Sequence, residues 1–295
     1  MRTLAARTLA AALVCFAASA HAHPGSGIAL DRRGNVYFVD TGAGVWKLDP
    51  AGKLERYGGP AFHWMALDLD DRFGSTRLPS TAQAEMRSTG SHPRVVLSSD
   101  YPIAIGGDGA LYYTLPDAQW RLSLMRLEPS GTQAVVARLP ASTPNGELRW
   151  INGIAAGAGN SILFTDDRGV YRVSRSGELT TIAGEIRVAQ CQAPPVHGED
   201  LEPNLRGLAE AEDGTIWIAA AGCSALLKLS PGAAPEVALR AERPWSPTAV
   251  AAGKNAVYVL EYLHTPGDDR RVWVPRVRKL AGGRAETLVT VRRSP

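Results

Sequence analysis

Residues 27–59, GIALDRRGNVYFVDTGAGVWKLDPAGKLERYGG, read as four short strands. GIAL at 27–30 is the first, and DRRG at 31–34 is a tight turn. VYFV at 36–39 is the second, followed by a loop at 40–44. VWKL at 45–48 is the third, DPAG at 49–52 turns, and residues 53–57 form the fourth. Short runs of β-branched and aromatic residues between Gly/Asp/Pro turns predict an antiparallel meander.

The same unit recurs. Six copies align on their first strand, starting at Ile28, Met65, Ile103, Ile154, Leu208 and Thr248. The second residue is alanine in each: Ala29, Ala66, Ala104, Ala155, Ala209 and Ala249. One small residue at one register implies crowding, as expected where first strands converge on the axis of a radial array. Strand two carries a large aromatic in most copies (Tyr37, Tyr112, Trp217, Tyr258), with Leu163 in copy four. Strand three carries a basic residue: Lys47, Arg87, Arg126, Arg172, Lys228 or Lys279. These read as stems lying over apolar surface with their heads in solvent. Copy two is the most degraded, with a loop at 75–84 and no strand-two aromatic. Long connections follow copies three and four (140–149, 185–204), and copy six has a polar insert at 264–271.

Four strands per unit and a period of about 40–50 residues predict an all-β, six-bladed β-propeller with four antiparallel strands per blade. The first copy opens with an innermost strand and the last ends with an outermost one, so the ring is expected to close by packing blade six against blade one, with a blade built from both termini as the alternative.

The chain has 295 residues, 45% hydrophobic and 21% charged, with a formal charge of +3. That composition is globular, and its near-neutral charge gives no case for nucleic acid or a polybasic membrane patch. Arg2 and Arg7, a short apolar run at 9–18 and Ala20-His21-Ala22 form the three parts of a secretory signal. The expected organisation is a signal peptide at 1–22 and one propeller domain at 23–295. The expected location is periplasmic or extracellular, with no transmembrane segment and a monomeric state. Of the mature cysteines, Cys191 and Cys223 read either as a disulfide or as two buried thiols. The repeat places both on one face and favours the disulfide.

A propeller also fixes which residues meet. Those just before strand one surround the channel mouth: Ser26, His63, Tyr101, Asn152, Arg206 and Ser246. Those just after strand two add Asp40, Asp166 and Glu261, with Asp167 and Tyr262 beside them. His63, Tyr101, Asn152, Arg206, Asp40, Asp166 and Glu261 are the candidate binding set. Each also has a local reading as a turn cap or ion-pair partner. The cluster His197-Gly198-Glu199-Asp200 lacks the fixed spacing of a metal motif. No G-x-S-x-G elbow is present, and no helix follows the Gly-rich turns to make them phosphate loops.

The stretch at 27–54 resembles the NHL repeat. INGIAAGAGNSILFTDDRGVYRVSRSGEL at 151–179 and RGLAEAEDGTIWIAAAGCSALLKLSPG at 206–232 resemble both NHL and gluconolactonase/regucalcin-like propellers. The resemblance covers nearly all of the mature chain. It implies the propeller fold, but the activities it spans include lactonases, lyases and binding proteins. In the gluconolactonase-like enzymes it implies a divalent cation (calcium or zinc) on the axis, held by a Glu before the first inner strand, an Asn in an N-G pair and an Asp in a D-G pair. Asn152-Gly153 matches the Asn. Arg206 of Arg206-Gly207 stands at the Asp position and Ser26 at the Glu position. A guanidinium there would repel a cation and attract an anion. The leading expectation is therefore a non-catalytic propeller that binds a small anionic ligand or a protein partner at the mouth. The alternative is a metal-dependent lactonase-type hydrolase or lyase.

Overall fold

The computed structural model describes residues 24–81, 84–119, 121–139, 150–191, 203–263 and 273–292. They form six antiparallel sheets in a ring, a six-bladed all-β propeller. Blade one is β1 (Ile28–Leu30), β2 (Val36–Asp40), β3 (Gly44–Leu48) and β4 (Leu54–Gly58), paired in that order. Blade two is β5 (Trp64–Asp68), β6 (Met86–Ser88) and β7 (Arg94–Ser98). Blade three is β8 (Ile103–Ile105), β9 (Leu111–Pro116), β10 (Leu122–Leu127) and β11 (Gln133–Arg138). Blade four is β12 (Gly153–Ala156), β13 (Ile162–Thr165), β14 (Val170–Val173) and β15 (Leu179–Ala183). Blade five is β16 (Leu205–Glu210), β17 (Ile216–Ala220), β18 (Ala225–Leu229) and β19 (Glu236–Arg240). Blade six is β20 (Trp245–Ala252), β21 (Val257–Leu263), β22 (Pro275–Ala281) and β23 (Arg284–Thr290).

Blade two is the irregular one, as its sequence suggested, but in an unexpected way. Its sheet order is β5-β7-β6, so the chain visits the third position before the second. Arg87 keeps the third position from the axis, and β7, RVVLS, supplies the second strand without an aromatic. Outside β6 a single bridge, Ser80 to Glu85, stands where the other blades have an outer strand.

Turn chemistry sets the strand ends. The Asp31 carboxylate accepts from the Arg33 and Asn35 amides at 2.8 and 2.9 Å, and Gly34 takes φ +81°, the left-handed region that favours glycine. The core is the set of seams between blades. One cluster joins Tyr37, Phe38 and Val39 of blade one to Leu97 of blade two and to Leu260 and Tyr262 of blade six. Others join successive blades two to three, three to four, four to five and five to six. Blades one and six each have four strands, and among the described residues no strand is shared between the two ends. Closure is by packing plus side-chain bonds across the seam, Tyr262 Oη to the Val39 carbonyl and Thr248 Oγ1 to the Gly25 carbonyl, both 2.7 Å.

The inner strands of all six blades line an axial lumen of about 270 Å³. Ala29, Ala66, Ala104, Ala155, Ala209 and Ala251 ring it. The sixth is therefore Ala251, and the expected Ala249 is corrected by two residues. The turn into strand two is one residue shorter in blade six, closed by the Gly253 amide on the Ala256 carbonyl where blade one has Asp31 on Asn35, so Tyr258 opposes Ala251 as Tyr37 opposes Ala29. The crowding argument holds at the shifted position. The strand-three bases also differ from expectation, because several heads are paired: Lys47 with Glu55 at 3.3 Å, Lys228 with Glu236 at 3.4 Å and Arg172 with Glu210 at 2.7 Å.

Candidate functional site: the channel mouth

The residues that precede the inner strands do surround one end of the axis, and neighbouring backbones are bonded there. The Ser26 amide of blade one donates to the His63 carbonyl of blade two at 2.7 Å. His63 Nδ1 lies 2.7 Å from the Ser99 carbonyl. A carbonyl only accepts, so Nδ1 carries a proton. Tyr101 is buried; its amide donates to Ser98 Oγ at 3.2 Å and its hydroxyl pairs with Thr81 Oγ1 at 3.2 Å.

Asn152 is the best-fixed member. Its Nδ2 donates to Asp167 Oδ1 at 2.8 Å and to the Leu205 carbonyl of blade five at 2.9 Å. Both amide hydrogens are spent, so Oδ1 is the atom it offers. Arg206 follows Leu205 directly; it is buried, and its carbonyl accepts from Thr165 Oγ1 of blade four at 2.6 Å. Asn152 and Arg206 thus belong to one hydrogen-bonded joint between blades four and five.

The glycines after them have a structural reason. A Cβ on Gly153 would lie 2.7 Å from the Arg206 carbonyl oxygen, and one on Gly207 would lie 2.8 Å from the Ala249 Cα. Gly27 is equally tight, 2.8 Å from the Met65 amide nitrogen. The N-G and R-G pairs are therefore places where adjacent inner strands meet backbone to backbone.

Blade six reaches the mouth with a shifted register. Ser246 is fully buried and donates to the Ala221 carbonyl at 2.6 Å, while Thr248 stands three residues before Ala251, as Ser26 stands before Ala29.

The three carboxylates of the expected ring are engaged in the scaffold. Asp40 Oδ1 accepts from the Gly42 amide at 2.9 Å and Oδ2 from Trp46 Nε1 at 3.1 Å. Asp166 repeats this at the same place in blade four, accepting from the amides of Arg168 and Gly169 and from Tyr171 Oη at 2.9, 2.6 and 2.9 Å. Both cap the loop between strands two and three. Glu261 is completely buried against Arg276 Nε at 2.5 Å and Arg278 Nη1 at 3.6 Å. Arg276 in turn lies 4.2 Å over the Trp245 ring. Burial pushes the Glu261 carboxyl up, against the opposing pull of the two guanidiniums.

Cys191 and Cys223 form a disulfide, 32 residues apart in sequence. It ties the connection between blades four and five to the fully buried loop end of β17. The insert at 264–271, the connection at 140–149 and the cluster at His197, Glu199 and Asp200 lie outside the described residues, as does the segment at 1–22.

Sequence reasoning missed Trp64. It sits where blades one, four and five have Gly27, Gly153 and Gly207, and its Nε1 donates to the Asn152 carbonyl at 3.4 Å. The available signal was that single large residue in a column of small ones.

A divalent cation on this axis was one expectation. The oxygen donors here are Asn152 Oδ1 and the Asp167 carboxylate that accepts from Asn152 Nδ2, with Arg206 next to them and Asp40, Asp166 and Glu261 bonded elsewhere. Among the described residues no group of three His, Cys, Asp or Glu side chains could hold a metal. This donor set does not fit a hard divalent cation, which takes several oxygen ligands.

The fold and its mouth define a six-bladed β-propeller. Neither a protein-family model nor any curated protein sequence matches the chain. Solved structures do match in fold. Virginiamycin B lyase from Staphylococcus aureus is similar at 14% identity, over 90% of this chain and 83% of that one, with a TM-score of 0.53. A PQQ-bound aldose sugar dehydrogenase from Streptomyces coelicolor is similar at 16% identity, over 86% and 92%, with a TM-score of 0.50. Regucalcin from Agrobacterium tumefaciens is a more distant neighbour, at 13% identity over 84% and 85%, with a TM-score of 0.49. The expected six-bladed propeller fold is met, and these likenesses are of fold alone. Among the described residues no helix is long and apolar enough to cross a membrane.

Proposed function

We propose that this chain is a periplasmic or secreted propeller that binds a small anionic ligand at its channel mouth, without catalysing a reaction on it. The observation that carries the reading is the joint between blades four and five. Arg206, buried in that joint, supplies the guanidinium that would meet an anion, beside an Asn152 amide whose Nδ2 is fixed by two hydrogen bonds and whose Oδ1 is presented. His63 and Tyr101 complete the recognition set. The carboxylates that would favour a cation are spent on amides, a tyrosine, an indole and two guanidiniums. The disulfide suits an oxidising compartment, which supports export through removal of residues 1–22.

The test is thermal unfolding of the chain from His23 onward, in EDTA, against a panel of carboxylates and phosphate, and separately against calcium, zinc and manganese. A ligand of the folded state raises the midpoint by mass action. The reading expects a shift with at least one anion that Arg206→Gln removes, and no ion-selective shift with the metals. A shift with one metal and none with anions would replace it with the hydrolase or lyase reading, which Asn152 Oδ1 and the Asp167 carboxylate beside it favour.

A further inference from the structure

Trp64 changes what the mouth can accept. It belongs to blade two at the start of β5, yet its indole reaches the Asn152 carbonyl of blade four. It therefore passes over the start of the blade-three inner strand. The His63 ring meets it edge to face, with centroids 5.5 Å apart and planes at 89°. Below it, the lumen begins one residue further along, at Met65 in blade two, and at Ile28, Ile103, Ile154, Leu208 and Val250 in the other blades. Neither Trp64 nor any of His63, Tyr101, Asn152 and Arg206 lines that lumen. At the level of Trp64 three other blades carry glycine because a Cβ there would meet the next inner strand, whereas blade two carries a whole indole across its neighbour.

We infer that Trp64 is a specificity-determining residue of the mouth: a flat floor that closes the mouth from the lumen and selects anions that carry a planar ring. The inference rests on the anion reading above. The indole N–H is already spent on Asn152, so what remains to a ligand is an aromatic surface, which favours stacked or edge-on rings over flexible chains. The same residue, Asn152, anchors the floor through its carbonyl and offers Oδ1 from its side chain. A ring on the indole and an anionic group at Arg206 would thus be bound by adjoining parts of one joint. A long flexible anion gains nothing by extending, because the floor blocks the way to the lumen.

The probes are benzoate and hexanoate, which share a carboxylate and a similar apolar size but differ in planarity. Affinities are read by ligand-observed NMR titration on the exported chain. The wild type is expected to prefer benzoate by about fivefold, the scale of one aromatic contact. Trp64→Phe should keep the preference, and Trp64→Leu should reduce it to near unity while hexanoate binding stays within twofold. Arg206→Gln should weaken both probes together. If Trp64→Leu leaves the ratio unchanged while Arg206→Gln weakens both, the anion site stands and the role given to Trp64 falls. If Arg206→Gln changes neither, or the wild type binds neither probe, the anion reading falls and this inference with it.

Discussion

The Tyr262 hydroxyl of blade six donates to the Val39 carbonyl of blade one at 2.7 Å, and both residues are buried. With no strand shared between blades one and six among the described residues, this bond and the Thr248–Gly25 bond beside it are polar ties across the closing seam. Tyr262→Phe keeps the ring and deletes only the donor, leaving a buried carbonyl short of a partner. The expected cost is about 1–3 kcal/mol. It would appear as a lower urea midpoint with an unchanged slope, since the surface exposed on unfolding is the same. An unchanged midpoint would mean that packing alone closes the ring.

The disulfide should be worth more than either seam bond. Cys191 and Cys223 are separated by 32 residues, and closing a loop of that size restrains the unfolded chain by about 3–4 kcal/mol in the chain-entropy description. Cys191→Ser leaves a buried thiol at Cys223 and should lower stability by about that amount. The check is chemical unfolding with and without dithiothreitol. Reductant should destabilise the wild type and leave the variant unchanged.

Gly207 is the tightest test of the inner-strand contacts. A methyl there would meet the Ala249 Cα at 2.8 Å and the Thr248 carbonyl oxygen at 3.1 Å, both backbone atoms that cannot rotate away. Gly207→Ala should therefore cost about 1–3 kcal/mol by overpacking. Gly232→Ala is the contrasting case: it takes φ +73° with open space around it, so its cost is conformational only. If Gly207→Ala were as mild as a surface change, the backbone approach between blades five and six would not be as drawn.

The repeat was legible because its cause is geometric. Converging strands demand a small residue, so alanine marked the axis in five of the six blades at the position the structure confirms. It failed in blade six because the turn between its first two strands is one residue shorter than in blade one, and Ala249 happened to stand two positions from Ala251. Blade two hid its strand order because the two short strands MRS and RVVLS carry no directional mark. At the mouth, sequence could place Asp40 and Asp166 on the right face but not say that their oxygens close back onto Gly42 and Gly169. A carboxylate aimed at the axis and one capping its own loop have the same spelling. The Asn152–Leu205 bond joins residues 53 apart, a separation that no local pattern encodes.

Asp108 gives the fold a titratable support whose direction can be worked out. Its carboxylate accepts from the Ala110 amide at 3.1 Å, Arg126 Nε at 2.9 Å and Tyr112 Oη at 3.0 Å. Burial pushes the carboxyl up, but the Ala110 amide, Arg126 and Tyr112 together outweigh burial and hold it below its ordinary value of 3.8. The folded state therefore binds the proton less readily than the unfolded chain. Its stabilising contribution is fully present above the unfolded value and is lost as pH falls through the lower, folded one. Burial and the same carboxylate push the Tyr112 hydroxyl up, which keeps it a donor across the neutral range. Asp108→Asn should cost about 1–3 kcal/mol at pH 7, where it removes a charge-assisted bond to a half-buried guanidinium. The gap between wild type and variant should stay constant from pH 7 to about pH 5, then narrow as pH falls below about 4. Urea unfolding at a series of pH values measures it. A gap that persists unchanged at pH 3 would mean the carboxylate acts by shape alone and not by its charge on Arg126.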